Sequence, residues 1–202
     1  MQRSRERILT THTGSLPRPP ELLPLLFARE DGAVDQNALE RGVRQAVADV
    51  VRKQAEVGVD VLNDGEMGKI TYATYVKDRL AGFDGESAMI GPADLLDFPD
   101  FARRGFRGSE ESMKHMRMPA CTGPISLRNV REVERDIANV KAASSDVDAT
   151  DVFLSAASPG VVALFFQNHY YPTREAYVAA IADAMQPEYE TIAQAGLVLQ
   201  LD

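Results

Sequence analysis

The sequence predicts an α/β fold with a parallel sheet. Two observations carry that expectation. Strand-type apolar runs alternate with amphipathic helical stretches, and parallel strands need helical crossovers of this kind. Each strand candidate also ends in residues that can do chemistry: His12 and Ser15; Asp64 and Glu66; Cys121 and Ser126; Ser155 and Ser158; and Asp202. Ligands of parallel α/β sheets collect at the carboxyl ends of the strands. A strand chosen for packing alone has no need of such residues, so the pattern points to an enzyme.

Five strands follow in order. The first, at residues 8–11, leads into His12-Thr13-Gly14-Ser15 and a Pro-rich exit. A helix is predicted from about 36 to 57, capped by Asp35, with Leu39, Val43, Ala46, Val47, Val50 and Gln54 at helical spacing. Gly58 ends it. The second strand, near 59–62, runs into Asn63-Asp64-Gly65-Glu66. Residues 81–111, rich in Gly, Asp, Phe and Arg and without a sustained period, read as an irregular insertion of the kind that often carries function. A third strand at 118–121 leads into Thr122-Gly123-Pro124. A helix at about 129–143 carries Val130, Val133, Ile137 and Val140 on one face. A fourth strand at 152–155 leads into Ser158-Pro159-Gly160. The last helix is capped by Thr173, striped by Tyr177, Ile181, Ala184, Met185 and Ile192, and ended by Gly196. Pro187 is expected to kink it. The fifth strand, 197–201, ends at Asp202.

Composition narrows the function classes. The 202 residues carry a net charge of −8, 45% hydrophobic and 26% charged residues, and one Cys. That balance excludes a disordered chain and leaves one domain or two small ones. A single Cys makes no internal disulfide and favours a reducing, cytoplasmic setting. No apolar run approaches the ~20 residues that span a bilayer, and the basic start lacks the apolar stretch of a signal peptide. The acidic balance argues against nucleic acid as partner.

Local chemistry alone leaves alternatives open. Gly14 and Ser15 offer close backbone approach and a small donor, but equally a plain strand-to-loop turn. Asp64, Glu66 and Lys69 offer acid–base or ammonium-binding chemistry, or an acidic turn. Asp64 and Glu66 share strand parity, which Gly65 can break. His115 and Cys121 match no familiar zinc spacing, and Cys121 reads as buried and inert. His169, among aromatics, suits either a flat ligand or a packed loop. There is no Gly-x-Gly-x-x-Gly, P-loop or Gly-x-Ser-x-Gly motif.

Three segments together resemble a known family. They are Thr10-Thr11-His12-Thr13-Gly14-Ser15-Leu16-Pro17-Arg18-Pro19, Gly58-Val59-Asp60-Val61-Leu62-Asn63-Asp64-Gly65-Glu66, and Ala195-Gly196-Leu197-Val198-Leu199-Gln200-Leu201-Asp202. Their order and chemistry are similar to the catalytic domain of cobalamin-independent methionine synthase, above all to its short relatives that lack the duplicated N-terminal half. The resemblance implies a (β/α)8 TIM barrel, here a partial one of about five β/α units with parallel strands, spanning 1–202 with the insertion at about 81–111. It implies methyl transfer from a methylated folate or similar donor to homocysteine or a related thiol, with zinc holding the thiolate nucleophile. Carried over by position, Gly14 and Ser15 would hold the amino-acid carboxylate. Glu66 and Asp202 would receive the ammonium, since a paired charge suits a buried cation. His12, Asp64, Lys69 and Ser158 are further candidates for that pocket.

The family's His-x-Cys pair, Glu and second Cys, which ligate zinc, have no counterpart here, and there is no Trp. A complete barrel typically needs ~250 residues, and the fifth strand falls at the last residue. The chain is therefore expected to supply the amino-acid-binding half and to be inactive without further strands. Those would come from a second chain or from self-association, or would be missing through truncation. The alternatives are a non-catalytic binding or scaffold subunit, a related zinc-dependent thiol alkyltransferase or lyase, and a self-contained five-strand flavodoxin-type sheet.

Overall fold

The computed structural model describes residues 3–87, 93–105 and 118–202. His115 and parts of the expected insertion lie outside the described residues.

Helix α1 (Leu23–Glu30) buries Leu26 against α2 (Gln36–Glu56). The α2 start is fixed by the Asp35 side chain, which accepts from the Ala38 N–H at 3.1 Å. Leu39, Val43, Ala46, Val47, Val51 and Gln54 form its buried face. Gly58, at φ +83°, then turns the chain into β1 (Val61–Asn63). A short helix α3 (Val76–Arg79) leads directly into β2 (Leu80–Asp84). Helices α4 (Ala93–Asp97) and α5 (Pro99–Gly105) follow, then β3 (Ala120–Leu127) and α6 (Arg131–Ser144). The chain closes with β4 (Asp151–Ala156), α7 (Pro159–Phe165), α8 (Arg174–Gln194) and β5 (Val198–Leu201).

The main sheet is parallel, in the order β1-β4-β5, with Asn63 opposite Phe153 and Ala156 opposite Leu201. The α2 and α6 faces cover it through Val47, Val51, Ile137 and Val140 around Leu62 and Leu154. Each such side chain contributes about 1.5–3 kcal/mol when fully buried. A second core gathers Tyr75, Leu80, Phe166, Tyr177, Ile181 and Met185.

Two expected strands behave differently. The 118–121 candidate forms, as β3, but pairs antiparallel with β2 in a separate two-stranded ribbon. The ribbon is allowed by Gly82, at φ +96°, where a Cβ would lie 2.7 Å from the Pro124 carbonyl oxygen, and by the register shift beside it. The start of the expected irregular stretch is thus a strand. Residues 8–11 lie alongside β1 without forming a ladder. The Thr10 carbonyl accepts from the Asp60 and Val61 N–H groups, and side chains replace the remaining ladder bonds. Asp60 accepts from the Thr10 N–H at 2.7 Å and from Arg7 Nη1 at 2.8 Å. Helix α8 keeps its helical assignment through Pro187.

The elements are locked by one buried ion network. Arg79 on α3 reaches Glu188 on α8 at 2.8 Å and Asp136 on α6 at 2.5 Å. The Tyr75 hydroxyl donates to Glu188 at 2.8 Å and accepts from the Ala157 N–H at 3.1 Å. Burial works against the Arg79 charge, but Glu188 and Asp136 outweigh it and hold the guanidinium well above its ordinary pKa. Glu188→Ala leaves that guanidinium without one of its buried partners. It should cost about 3–5 kcal/mol, read as a lower denaturation midpoint with an unchanged slope.

Candidate functional site

The site forms where three segments meet at the carboxyl end of the parallel sheet: the 12–18 loop, the 63–69 turn and the end of β4. Strand β1 stops at Asn63. Gly65 and Glu66 then both adopt left-handed backbone, at φ +62° and +55°. For Gly65 this costs little, whereas for Glu66 it is an unusual conformation held by its surroundings. The turn breaks the strand parity and buries Glu66 to 1% exposure.

The Glu66 carboxylate receives two hydroxyls. Ser15 Oγ donates at 2.7 Å to Oε2, and Ser155 Oγ at 2.5 Å to Oε1. Gly14 packs so closely that a Cβ there would sit 2.8 Å from Glu66 Oε1. The loop is further held to the turn by backbone contacts. The Leu16 N–H donates to the Gly65 carbonyl at 3.1 Å, and Arg18 Nη2 donates to the Glu66 and Lys69 carbonyls at 3.0 and 2.6 Å.

Lys69 is buried. Its Nζ donates to the Ser155 carbonyl at 2.5 Å and lies 4.6 Å from the centroid of the Tyr75 ring. Ser155 therefore joins Lys69 to Glu66. Asp64, also buried, accepts from the Glu66 N–H at 2.9 Å. Burial pushes its carboxyl up to about 6, opposed by Lys69 and assisted by Asp136.

Other sequence-predicted residues sit nearby in different roles. His12 stands between Asn63 Oδ1, at 2.9 Å, and the Gly14 N–H, at 3.1 Å. The Gly14 N–H is thus already engaged. Asp202 follows β5, and its side chain accepts from Gln200 Nε2 at 2.6 Å. The same nitrogen donates to the Thr13 carbonyl at 2.6 Å, which ties Asp202 to the loop. Ser158 serves as the α7 cap, its hydroxyl accepting from the Val161 N–H at 3.2 Å. Cys121 is buried in the ribbon, its thiol on the Gly123 carbonyl at 3.4 Å, and burial pushes that thiol up. His169 donates its N–H to the Cys121 carbonyl beside the ribbon.

The structure adds Asn63, Ser155 and Gln200 to the site. Ser155 stood at a predicted strand end, but its partners lie 89 and 86 residues away. No spacing rule links them. An open cleft of about 420 Å³ between α2 and α6, lined by Arg44, Arg128, Arg135 and Asp136 among others, reaches Gly68 on the 63–69 turn. Among the described residues no helix is long and apolar enough to cross a membrane.

A family model for the cobalamin-independent synthase catalytic domain matches residues 8–89, the stretch holding Gly14, Ser15 and the 63–69 turn. The methionine synthase of Sulfolobus acidocaldarius is 26% identical over 96% of this chain, and that of Pyrococcus furiosus 24% over 96%. The chain is similar to the cobalamin-independent methionine synthases along almost its whole length. It spans about half the length of these curated relatives, 50% and 51%. A B12-independent methionine synthase from Shewanella sp. W3-18-1, solved in complex with selenomethionine, superposes with a TM-score of 0.71 at 20% identity. The match covers 96% of this chain and 50% of that one. The fold is accordingly that of a partial methionine-synthase TIM barrel.

The raised Asp64 carboxyl sets a pH dependence. A carboxyl whose folded pKa lies near 6, above its unfolded value, binds its proton more tightly in the fold. Its stabilising contribution is complete below pH ~4 and is lost as pH rises through about 6. Asp64→Asn should therefore gain on the natural chain between about pH 4 and pH 7, by up to roughly 3 kcal/mol. Paired urea titrations across that range check it, and a pH-independent difference would refute it.

Proposed function

We propose that this chain binds the amino-acid end of homocysteine or a related thiol for methyl transfer. The observation that carries the proposal is the Glu66 carboxylate. It is buried, met by two hydroxyls, and ion-paired with no cation among the described residues. A buried carboxylate whose direct donors are neutral is only partly compensated by the through-space field of Arg18, and an ammonium is a ligand that answers the remainder. The relatives are methionine synthases, and the Shewanella fold neighbour holds selenomethionine, an α-amino acid with a methylated side chain.

In this reading the substrate ammonium sits on Glu66, with Asp202 as second carboxylate. The Ser15 backbone faces the substrate carboxylate, its hydroxyl proton being already donated to Glu66 Oε2. The contribution of Gly14 is space rather than its N–H, which His12 occupies. Lys69 stays fixed on Ser155, and Asp64 beside it holds a proton up to about pH 6.

Zinc, implied by the family likeness, would bind the thiol as thiolate and make it the nucleophile. The described residues do not fit it. Cys121 is committed inside the ribbon, and no three His, Cys, Asp or Glu side chains gather as metal ligands. We therefore assign thiol activation, and the contact with a methylated folate or similar donor, to barrel strands beyond those of this chain. A completing domain, a second chain or a second copy would supply them in a cytoplasmic enzyme. The same misfit favours, as second reading, a binding subunit that recognises the amino acid without turning it over.

Isothermal titration tests the first step. L-Homocysteine should bind the natural chain, and its analogue without the amino group should not. Glu66→Gln and Gly14→Ala should each weaken binding at least about tenfold, or 1.4 kcal/mol. Equal binding of the deaminated analogue would exclude Glu66 as the ammonium site.

A further inference from the structure

We infer that Asn63 is a positioning residue of the amino-acid pocket, its side-chain amide and His12 together fixing the peptide of Gly14 against Glu66. This deepens the amino-acid-binding reading and rests on it.

Four hydrogen bonds carry the inference. Asn63 Nδ2 donates to the Gly14 carbonyl at 3.2 Å, and Asn63 Oδ1 accepts from the Gly65 N–H at 2.9 Å. The same Oδ1 stands 2.9 Å from His12 Nε2, while His12 Nδ1 accepts from the Gly14 N–H at 3.1 Å. Gly14 is thus held on both its N–H and its carbonyl. The assignment is self-consistent. A flipped amide would aim its NH₂ at the Gly65 N–H and its oxygen at the Gly14 carbonyl. Because Nδ1 accepts, the ring proton is on Nε2, where it donates to Asn63.

An Asn two residues before a turn N–H commonly closes a local turn, and that ordinary role accounts for the Gly65 bond. It does not account for the donor side of the amide, which reaches a carbonyl 49 residues away. Asn63 is itself anchored. Gln54 on α2 donates to its carbonyl at 2.8 Å and accepts from its N–H at 3.1 Å, and both side chains are buried. The chain of contacts therefore runs from α2 through Asn63 to Gly14. There a Cβ on Gly14 would lie 2.8 Å from Glu66 Oε1, so the loop has no room for a side chain at that position.

The test uses the full chain, labelled with ¹⁵N, at about pH 8, above the usual imidazole range. His12 should show the Nε2–H tautomer, and the Gly14 amide should be protected from solvent exchange. In Asn63→Ala the single-tautomer pattern should be lost and Gly14 exchange should accelerate at least about tenfold. In the near-isosteric Asn63→Asp, the Gly14 carbonyl loses its donor while the Gly65 bond survives. Homocysteine affinity should fall at least about tenfold in both, measured beside the melting temperature. An Nδ1–H tautomer in the natural chain, or unchanged Gly14 exchange in both variants, overturns the inference. Unchanged homocysteine affinity in both variants overturns it as well. If the natural chain binds no homocysteine, the amino-acid reading fails, and the tautomer and exchange measurements still decide whether Asn63 holds Gly14.

Discussion

The burial of the Glu66 carboxylate without a cation is the constraint around which the sheet end is organised. Taking a carboxylate out of water costs several kcal/mol even after relaxation. A non-glycine residue in left-handed backbone adds roughly 1–3 kcal/mol. Two hydroxyls, from Ser15 and Ser155, return about 1.5–3 kcal/mol each as hydrogen bonds to a charged group. The arrangement is therefore no source of stability in itself. The two apolar cores hold it in place, and the absence of a Cβ at Gly14 is what lets the loop close over it.

Comparison with Glu188 shows why Glu66 reads as a binding group. The two are buried alike, to 1% and 2% exposure. Glu188 has a guanidinium at 2.8 Å and a phenol at 2.8 Å, and its partners come from packed helices. Its charge is answered inside the protein, so its role is to join α3, α6 and α8. The Glu66 carboxylate accepts from hydroxyls alone, with Arg18 acting only through space, and one of those hydroxyls belongs to Ser15, an exposed residue at the carboxyl end of the sheet. Nearby Lys69 could have neutralised it but is held instead on the Ser155 carbonyl and the Tyr75 ring. The Glu66 carboxylate is left without an ion pair among the described residues.

Much of the fold was legible because its signals are local. The Asp35 and Thr173 caps, the 3.6-residue stripes of α2 and α8 and the Gly58 stop each lie within a few residues of what they control. The pairing of β3 was not legible. Its partner β2 was hidden in a stretch whose Gly, Asp and Phe content obscures a period of two, and whose register shifts beside Gly82. Residues 8–11 read as a strand from their apolar and β-branched content, yet the Asp60 side chain, held by Arg7, takes the Thr10 N–H in place of a ladder partner. At the site, Gly14, Ser15, Asp64, Glu66 and Lys69 were visible as two short motifs. The residues that join those motifs, Asn63 and Ser155, act across tens of positions in sequence, and such contacts exist only once the chain has folded.

The origin of the Glu66 cluster also bears on what half a barrel can do. Every group in it comes from the 12–18 loop, the 63–69 turn or β4, and none from the far side of β5. Strand β5 pairs with β4 alone among the described residues, and an unpaired parallel edge is a template for further strands. Strands added there would extend the sheet next to Asp202 and Gln200, leaving the contacts of Glu66 as they are. Recognition of an ammonium and activation of a thiol are then separable tasks on one barrel. In the proposed reading the first draws on the buried charge of Glu66 and the close-packed Gly14. The second needs soft ligands around a metal, which the described residues do not assemble.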